Sequence, residues 1–404
     1  MCDRDFYMLV LGMKDALESF AVAVSRFVLN VLYAVCCLLP RKDEAMFVSR
    51  QANEPSYDFL AIGGAFEDRG YSAIFLTLKL RKRNFIKYAF HAMREIYHLA
   101  RCRICFVDRY DPVISLLDFK YERFSSSRSS TDGEYHEFPI EPVVVQLWHA
   151  FGAFKRFGFQ SHDTVEGHTL KAMDRYRIHR NNSWVLCSGQ DCRQAFSQAF
   201  NCPVERVVTL LRPVYDELRR LRIDLEENFE ASSHIPSILF APTLRKNSDS
   251  RHPFRDLDRE GEWGRLASVA RVEWAFHPLE EKGVAAGMAS DALLGASIVV
   301  TDYSSIVYEA YLLGKPTVFY VPDIAEYRIS PGLNIDPVVA CPQIAFVEKE
   351  DLLKFLTVCV KGIEPYPWDA LEAFVGSSID ECKGCALDEL MEAAFGWLGR
   401  ERRE

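Results

Sequence analysis

From residue 45 onward the chain alternates short apolar runs with longer stretches of mixed polarity. AMFVS (45–49), AIFLTLK (73–79), RICFVD (103–108), VVVQLW (143–148) and SWVLCS (183–188) are rich in β-branched and aromatic residues and read as strands. The intervening stretches are long enough for helices, and 84–100 carries Phe85, Tyr88, Met93, Ile96 and Leu99 near helical spacing. Such alternation predicts an α/β domain with a parallel sheet. It is interrupted by LRRLRIDLEENFEASSHIP (218–236), charged and then turn-rich, and restarts with SILFAPT (237–243), RVEWAF (271–276), ASIVVTD (296–302) and PTVFY (316–320). The expectation is therefore α/β throughout, with two Rossmann-like domains facing a cleft. Residues 45–225 form the first, and 226–404, with the C-terminal helices, the second. The serine cluster SSSRSSTDGE (125–134) reads as a loop projecting from the first domain.

Residues 1–44 follow a different pattern, that of an apolar to amphipathic helix. Phe20 to Leu39 is nearly free of polar residues except Arg26 and Asn30, and about 20 such residues suffice to span a bilayer. Arg26 near the centre of a span would cost at least ~2.5 kcal/mol. A helix lying in the membrane interface, or packed on the protein, avoids that cost, so three readings stand: interfacial, core-packing and spanning. Arg41 and Lys42 suit an anionic headgroup surface. No basic leader region or small-residue cleavage site marks a removable signal.

A length of 404 residues fits about two domains, and 49% apolar with 26% charged residues is a globular composition. The net charge of -9 argues against a nucleic-acid partner. Twelve cysteines, several inside apolar runs, read as free thiols in a reducing compartment. Cys102–Cys105 and Cys382–Cys385 have CxxC spacing, but the first pair lies in a strand, where residues three apart face opposite ways. No metal site is expected. No G-x-G-x-x-G fingerprint supports a nicotinamide enzyme, and no cofactor is expected.

In open α/β sheets chemistry gathers beyond the carboxyl ends of the strands. In IVVTDYSSIVYEAYLLGKPTVFY (298–320) a buried strand runs into Asp302, Ser304 and Ser305, then into a helix carrying Glu309. The serines at that helix start suit either a phosphate or a plain N-cap. Glu309 suits either a ribose hydroxyl or the helix dipole. In VVVQLWHAFGAFKRFG (143–158) a strand delivers His149 to a loop with Gly152, followed by Lys155. There His149 is either a general base or a packed loop histidine. His277 ends a strand in EWAFHPLEE (273–281), and ILFAPTLRKN (238–247) places Thr243 and Arg245 after another. KLRKRNFIKYAF (79–90) mixes basic and aromatic residues, as a lipid- or polyphosphate-binding surface or a solvated helix start would. HDTVEGH (162–168) reads as a loop.

Together QLWHAFGAFKRFG, APTLRKN, FHP, VVTDYSSIVYEAYLLGKPTVFY and DIAEYRISPGLNID (323–336) resemble, in order and spacing, the segments of the CDP-glycerol glycerophosphotransferases of teichoic acid synthesis. The likeness covers roughly residues 140–340 and weakens back to about residue 45. It implies a GT-B fold and a transferase carrying a polyol phosphate, glycerol phosphate first, from a CDP-alcohol to a hydroxyl of a lipid-linked saccharide or polyol-phosphate acceptor. The implied setting is the cytoplasmic face of the cell membrane, held peripherally. It assigns His149 as base and His277, Ser304 and Ser305 to the donor diphosphate, with Thr243 and Arg245 beside them. Lys155, Asp302 and Glu309 are further donor or acceptor candidates. Three segments depart from the family pattern: Ala150-Phe151-Gly152 after the histidine, LLRPVYDEL (210–218), and Pro331 where an arginine is usual. A GT-B glycosyltransferase using a nucleotide sugar, and a non-catalytic membrane-associated relative, are the alternatives.

Overall fold

The computed structural model describes residues 3–79, 85–125, 135–227, 235–243, 254, 266, 268–275 and 291–399. The first domain holds a six-stranded sheet of order β2-β1-β3-β6-β7-β8, every pair parallel. Its strands are β1 (Glu44–Ser49), β2 (Ser72–Thr77), β3 (Ile104–Val107), β6 (Val143–Gln146), β7 (Trp184–Cys187) and β8 (Val207–Thr209). β4 (Lys120–Ser125) and β5 (Tyr135–Glu141) form a separate antiparallel ribbon. The serine loop predicted to project lies between them, mostly outside the described residues. The second domain holds a parallel five-stranded sheet of order β10-β9-β11-β12-β13. It comprises β9 (Ser237–Ala241), β10 (Arg271–Trp274), β11 (Ile298–Thr301), β12 (Thr317–Tyr320) and β13 (Ala345–Phe346).

The strands in the middle of both sheets are covered on both faces, which is why they read as continuous apolar runs rather than alternating ones. β1, β3, β6, β9, β11 and β12 are buried along their whole length. Four described strands are not predicted by the pattern: β4 and β5 of the separate ribbon, and β8 and β13, which are three and two residues long at sheet edges.

The helices of the first half are α1 (Asp3–Cys36), α2 (Tyr57–Glu67), α3 (Phe85–Leu99), α4 (Pro112–Leu116), α5 (Leu170–Arg175), α6 (Arg193–Phe200) and α7 (Val214–Glu227). α3 matches the predicted 84–100 helix, although part of the basic stretch before it lies outside the described residues. The domain division differs at both ends from the sequence expectation. Val214, Tyr215 and Leu218 of α7 are buried with the second domain's core. The final helix, Ala386–Gly399, expected in the second domain, returns to the first: Leu390, Met391 and Ala394 pack with Phe59 and Phe66 of α2. Trp397 stacks on Trp184 at a centroid distance of 5.2 Å. Periodicity identifies an amphipathic face but not which of two cores covers it.

α1 lies along the first domain by its polar side. Arg26 Nη2 donates to both carboxylate oxygens of Asp118, at 3.0 and 3.1 Å. Asn30 donates to the Leu116 carbonyl at 3.0 Å and accepts from the Asp118 N–H at 2.7 Å. Tyr33 is buried against Phe119. Lys171 and Arg175 both pair with Asp15. Gly12–Cys36 is long and apolar enough to cross a bilayer. Arg26 and Asn30, which interrupt its apolar stretch, are nevertheless hydrogen-bonded to the domain beneath. The opposite stripe, Leu17, Phe20, Val24, Phe27, Val31 and Val35, is exposed.

Candidate active site

β1, β3 and β6 are neighbours in the first sheet, so Ser49, Asp108 and the Leu147–His149 turn emerge side by side at its carboxyl edge. Trp148 makes that turn with φ of 58°, in the left-handed region that a bulky residue enters only when held there. It is held by Gln146 Oε1, which accepts the Trp148 N–H at 3.1 Å, and by the Phe157 ring stacked at 4.7 Å. The turn presents His149 to the cleft as an exposed side chain, its ring 4.2 Å from that of Trp148.

The following loop crosses to the second domain. Phe151 and Phe154 are buried among Tyr303, Tyr308, Phe319 and Phe374. The Phe154 carbonyl accepts from Asn334 N–H at 2.9 Å, and the Gly332 carbonyl accepts from Arg156 N–H at 3.0 Å. Two segments predicted independently from the sequence, 147–158 and 323–336, are thus bonded to each other. Gly152 passes so close to the helix Ile306–Leu312 that a Cβ there would fall 2.1 Å from Tyr308 Cζ. The glycine permits the approach that brings this loop onto that helix.

A cavity of about 230 Å³ opens where these elements meet, and His149, Ser305 and Glu309 all line it. The Ser305 hydroxyl makes no capping bond to its own helix. Ser304, half-buried, accepts weakly from the Ile306 N–H at 3.4 Å and lies just outside the lining. Burial pushes the Glu309 carboxyl above its ordinary pKa, against the pull of Arg212.

Thr243 and Asp302 are brought together differently. Asp302 is fully buried, and its Oδ1 accepts from Thr243 N–H at 2.8 Å, Thr243 O–H at 2.6 Å and Tyr303 N–H at 2.7 Å. The pair ties the end of β9 to the end of β11 and so fixes where the Ser304–Ser305 turn begins. Lys155 lies off the cavity, 3.8 Å from Glu166 in an ion pair. The HDTVEGH run that contains Glu166 closes on itself, Asp163 N–H donating to the His168 carbonyl. His277 and Arg245 lie outside the described residues. Among the described residues no group of three or more His, Cys, Asp or Glu side chains is placed to hold a metal ion.

Sequence reasoning overlooked an ion pair at the floor of the site. Arg212 Nη1 donates to Asp58 Oδ2 at 2.5 Å, and Arg212 Nη2 to the His149 carbonyl at 3.3 Å. Asp58 Oδ1 accepts from the Val214 N–H at 2.8 Å, and the Arg212 guanidinium lies 4.6 Å over the Phe151 ring. Arg212 stands in the departing segment LLRPVYDEL, so the signal was present as an anomaly rather than a motif. Asp108 and Arg109, also in the lining, directly follow a strand, where the carboxyl-edge rule looks for chemistry.

Two parallel-sheet α/β domains closing on a cavity lined from both sides make a GT-B-like fold. The chain belongs to the CDP-glycerol:poly(glycerophosphate) glycerophosphotransferase family, whose model matches residues 31–367. It is 24% identical over 342 residues to the teichoic acid poly(ribitol-phosphate) polymerase of Bacillus spizizenii, covering 79% of this chain and 50% of that protein. It is 22% identical to the teichoic acid ribitol-phosphate primase of the same organism, covering 77% of this chain and 82% of the relative. The chain therefore spans about half the length of the first relative and most of the second. The wall teichoic acid polymerase TagF has the same fold, with a TM-score of 0.61 at 16% identity over 98% of this chain and 99% of that one. A TagF variant soaked with CDPG gives a TM-score of 0.64 at 15% identity, over 96% and 99% of the respective chains.

Proposed function

We propose that this protein transfers a polyol phosphate, glycerol phosphate first, from a CDP-alcohol to a hydroxyl of a membrane-linked acceptor and releases CMP. The observation that carries the reading is His149 of one domain lining the same small cavity as Ser305 and Glu309 of the other. Family membership and the CDPG-soaked TagF variant support the donor class.

In the reaction His149 takes the proton of the acceptor hydroxyl as its oxygen bonds to the phosphorus that carries the polyol. The bond from that phosphorus to the bridging oxygen breaks, and CMP leaves with the electron pair. Negative charge grows on the phosphates, where the Ser304 and Ser305 hydroxyls donate hydrogen bonds. By the family resemblance His277 and Arg245 act on the same diphosphate. Thr243 and Asp302 set the turn that presents the serines, and Arg212 fixes the backbone of the base.

A Ser304→Ala/Ser305→Ala protein should bind CDP-glycerol roughly ten- to a hundredfold more weakly by calorimetric titration, since a hydrogen bond to a charged group contributes ~1.5–3 kcal/mol. Wild-type affinity in the double variant, or wild-type binding of a UDP-sugar in place of CDP-glycerol, would remove the donor assignment.

The exposed stripe of α1 supports a peripheral membrane location at the cytoplasmic face, with the helix lying in the interface rather than crossing it. Its polar side is engaged by Asp118 and Leu116. A Phe20→Glu/Phe27→Glu protein alters two of the most exposed stripe positions and leaves that docking side intact. It should no longer sediment with anionic vesicles that retain the wild type; continued sedimentation would assign the anchor to another surface.

A further inference from the structure

α1 ends beside a second cavity, which the transfer step does not use. It measures about 230 Å³ and is lined by Tyr33 and Cys37 from the docked side of α1, by Arg41, and by Asp118, Lys120 and Glu141. Lys120 and Glu141 face each other at the base of the β4–β5 ribbon. Each carboxylate at the rim already holds two cations. Asp118 Oδ1 takes Arg26 at 3.0 Å and Arg177 at 2.7 Å, and Glu141 Oε2 takes Arg41 Nη2 at 3.3 Å and Lys120 Nζ at 2.9 Å. Against the upward push of burial, these cations hold both carboxyls below their ordinary pKa. Burial pushes the Tyr33 phenol up, so it adds no negative charge. Two cations to each carboxylate leave the surroundings of the cavity positive.

One donor there is still unused. Arg41 gives Nη2 to Glu141, whereas its Nη1 is shielded from solvent and has no acceptor among the described residues. A donor kept from water without an acceptor is costly, and a ligand oxygen removes that cost. The Lys120 side chain is 77% exposed, so one cation is fixed inside the cavity and the other is free at its mouth. A guanidinium fork beside an ammonium suits a phosphate. The position says how that phosphate arrives. The exposed apolar stripe of α1 continues from Val35 to Leu38 and Leu39, just before Arg41. A helix in the membrane interface sinks its apolar face roughly 5–10 Å into the headgroup–acyl boundary, which leaves its polar side among the headgroups. The cavity lies on that polar side.

We propose that this cavity is a headgroup site for an anionic phospholipid. Arg41 and Lys120 hold the lipid phosphate, and the end of the apolar stripe lies against the acyl chains. The inference rests on the interfacial reading of α1 and adds to it a defined lipid site.

Sedimentation with two vesicles, phosphatidylcholine alone and phosphatidylcholine mixed with phosphatidylglycerol, tests it at physiological salt. The wild type should partition more strongly onto the mixed vesicles. Arg41→Gln should lose about tenfold of that partition while keeping its partition onto phosphatidylcholine. Arg41→Lys keeps the charge and a partner for Glu141 but not the fork, and should lose most of the same preference; it serves if Arg41→Gln melts early. Lys42→Gln removes an exposed charge next door and should change little. Three results would each overturn the site: no anionic preference in the wild type, Arg41→Lys behaving as wild type, or Lys42→Gln costing as much as Arg41→Gln. Saturable binding of inorganic phosphate without vesicles, lost in Arg41→Gln, would assign the cavity to a free anion instead of a lipid. Failure of the wild type to sediment with either vesicle would remove the membrane reading of α1 beneath it.

Discussion

Replacing His149 with alanine should slow CMP release by about 10²–10⁴-fold, the usual contribution of a positioned general base. Affinity for CDP-glycerol should stay within a few-fold of wild type, because the imidazole acts on the acceptor proton and the donor is held from the other domain. The substitution removes a side chain exposed in the cleft, so the melting temperature should hardly move. The strained Trp148 turn stays anchored by Gln146 and Phe157, neither of which depends on the imidazole. Rapid-quench measurement of CMP release beside calorimetry of donor binding separates the two effects. A fully active His149→Ala protein would remove the base assignment. Equal loss of donor affinity and rate would make His149 a binding group instead.

The contrast between His149 and Asp302 shows how far the sequence could be read. Both follow buried strands, and both resembled site residues on that ground. His149 follows a turn that no motif announced, since nothing in QLWHAFG foretells a left-handed tryptophan. Asp302 turns inward and uses Oδ1 on three donors, because β9 and β11 are adjacent and their ends must be tied together. Strand order decides that, and strand order is a long-range property. The strands themselves were legible because burial on both faces leaves uninterrupted apolar runs. The ownership of α7 and the last helix was not, because each crosses between domains. Ser304 and Ser305 divided where the sequence left them equal: one hydroxyl touches its own helix and the other faces the cavity.

An Asp58→Ala protein should lose both stability and rate, through a pair that belongs to no sequence motif. Asp58 and Arg212 are 6% and 8% exposed, so each depends on the other for compensation. Removing one member of a buried pair leaves an uncompensated charge and costs ~3–5 kcal/mol. In a chain of 404 residues that corresponds to a fall in Tm of about 4–6 °C. The loss reaches the chemistry because Arg212 also donates to the His149 carbonyl, and Asp58 also accepts from the Val214 N–H that begins α7. α7 packs with the second domain, so one carboxylate on α2 links the backbone of the base to the helix joining the domains. Asp58→Asn keeps an acceptor for Val214 and removes the charge, and should fall between alanine and wild type in both Tm and kcat. Unchanged melting in the alanine variant would mean that Arg212 finds water or another acceptor, and the pair would then not be what holds the histidine in place.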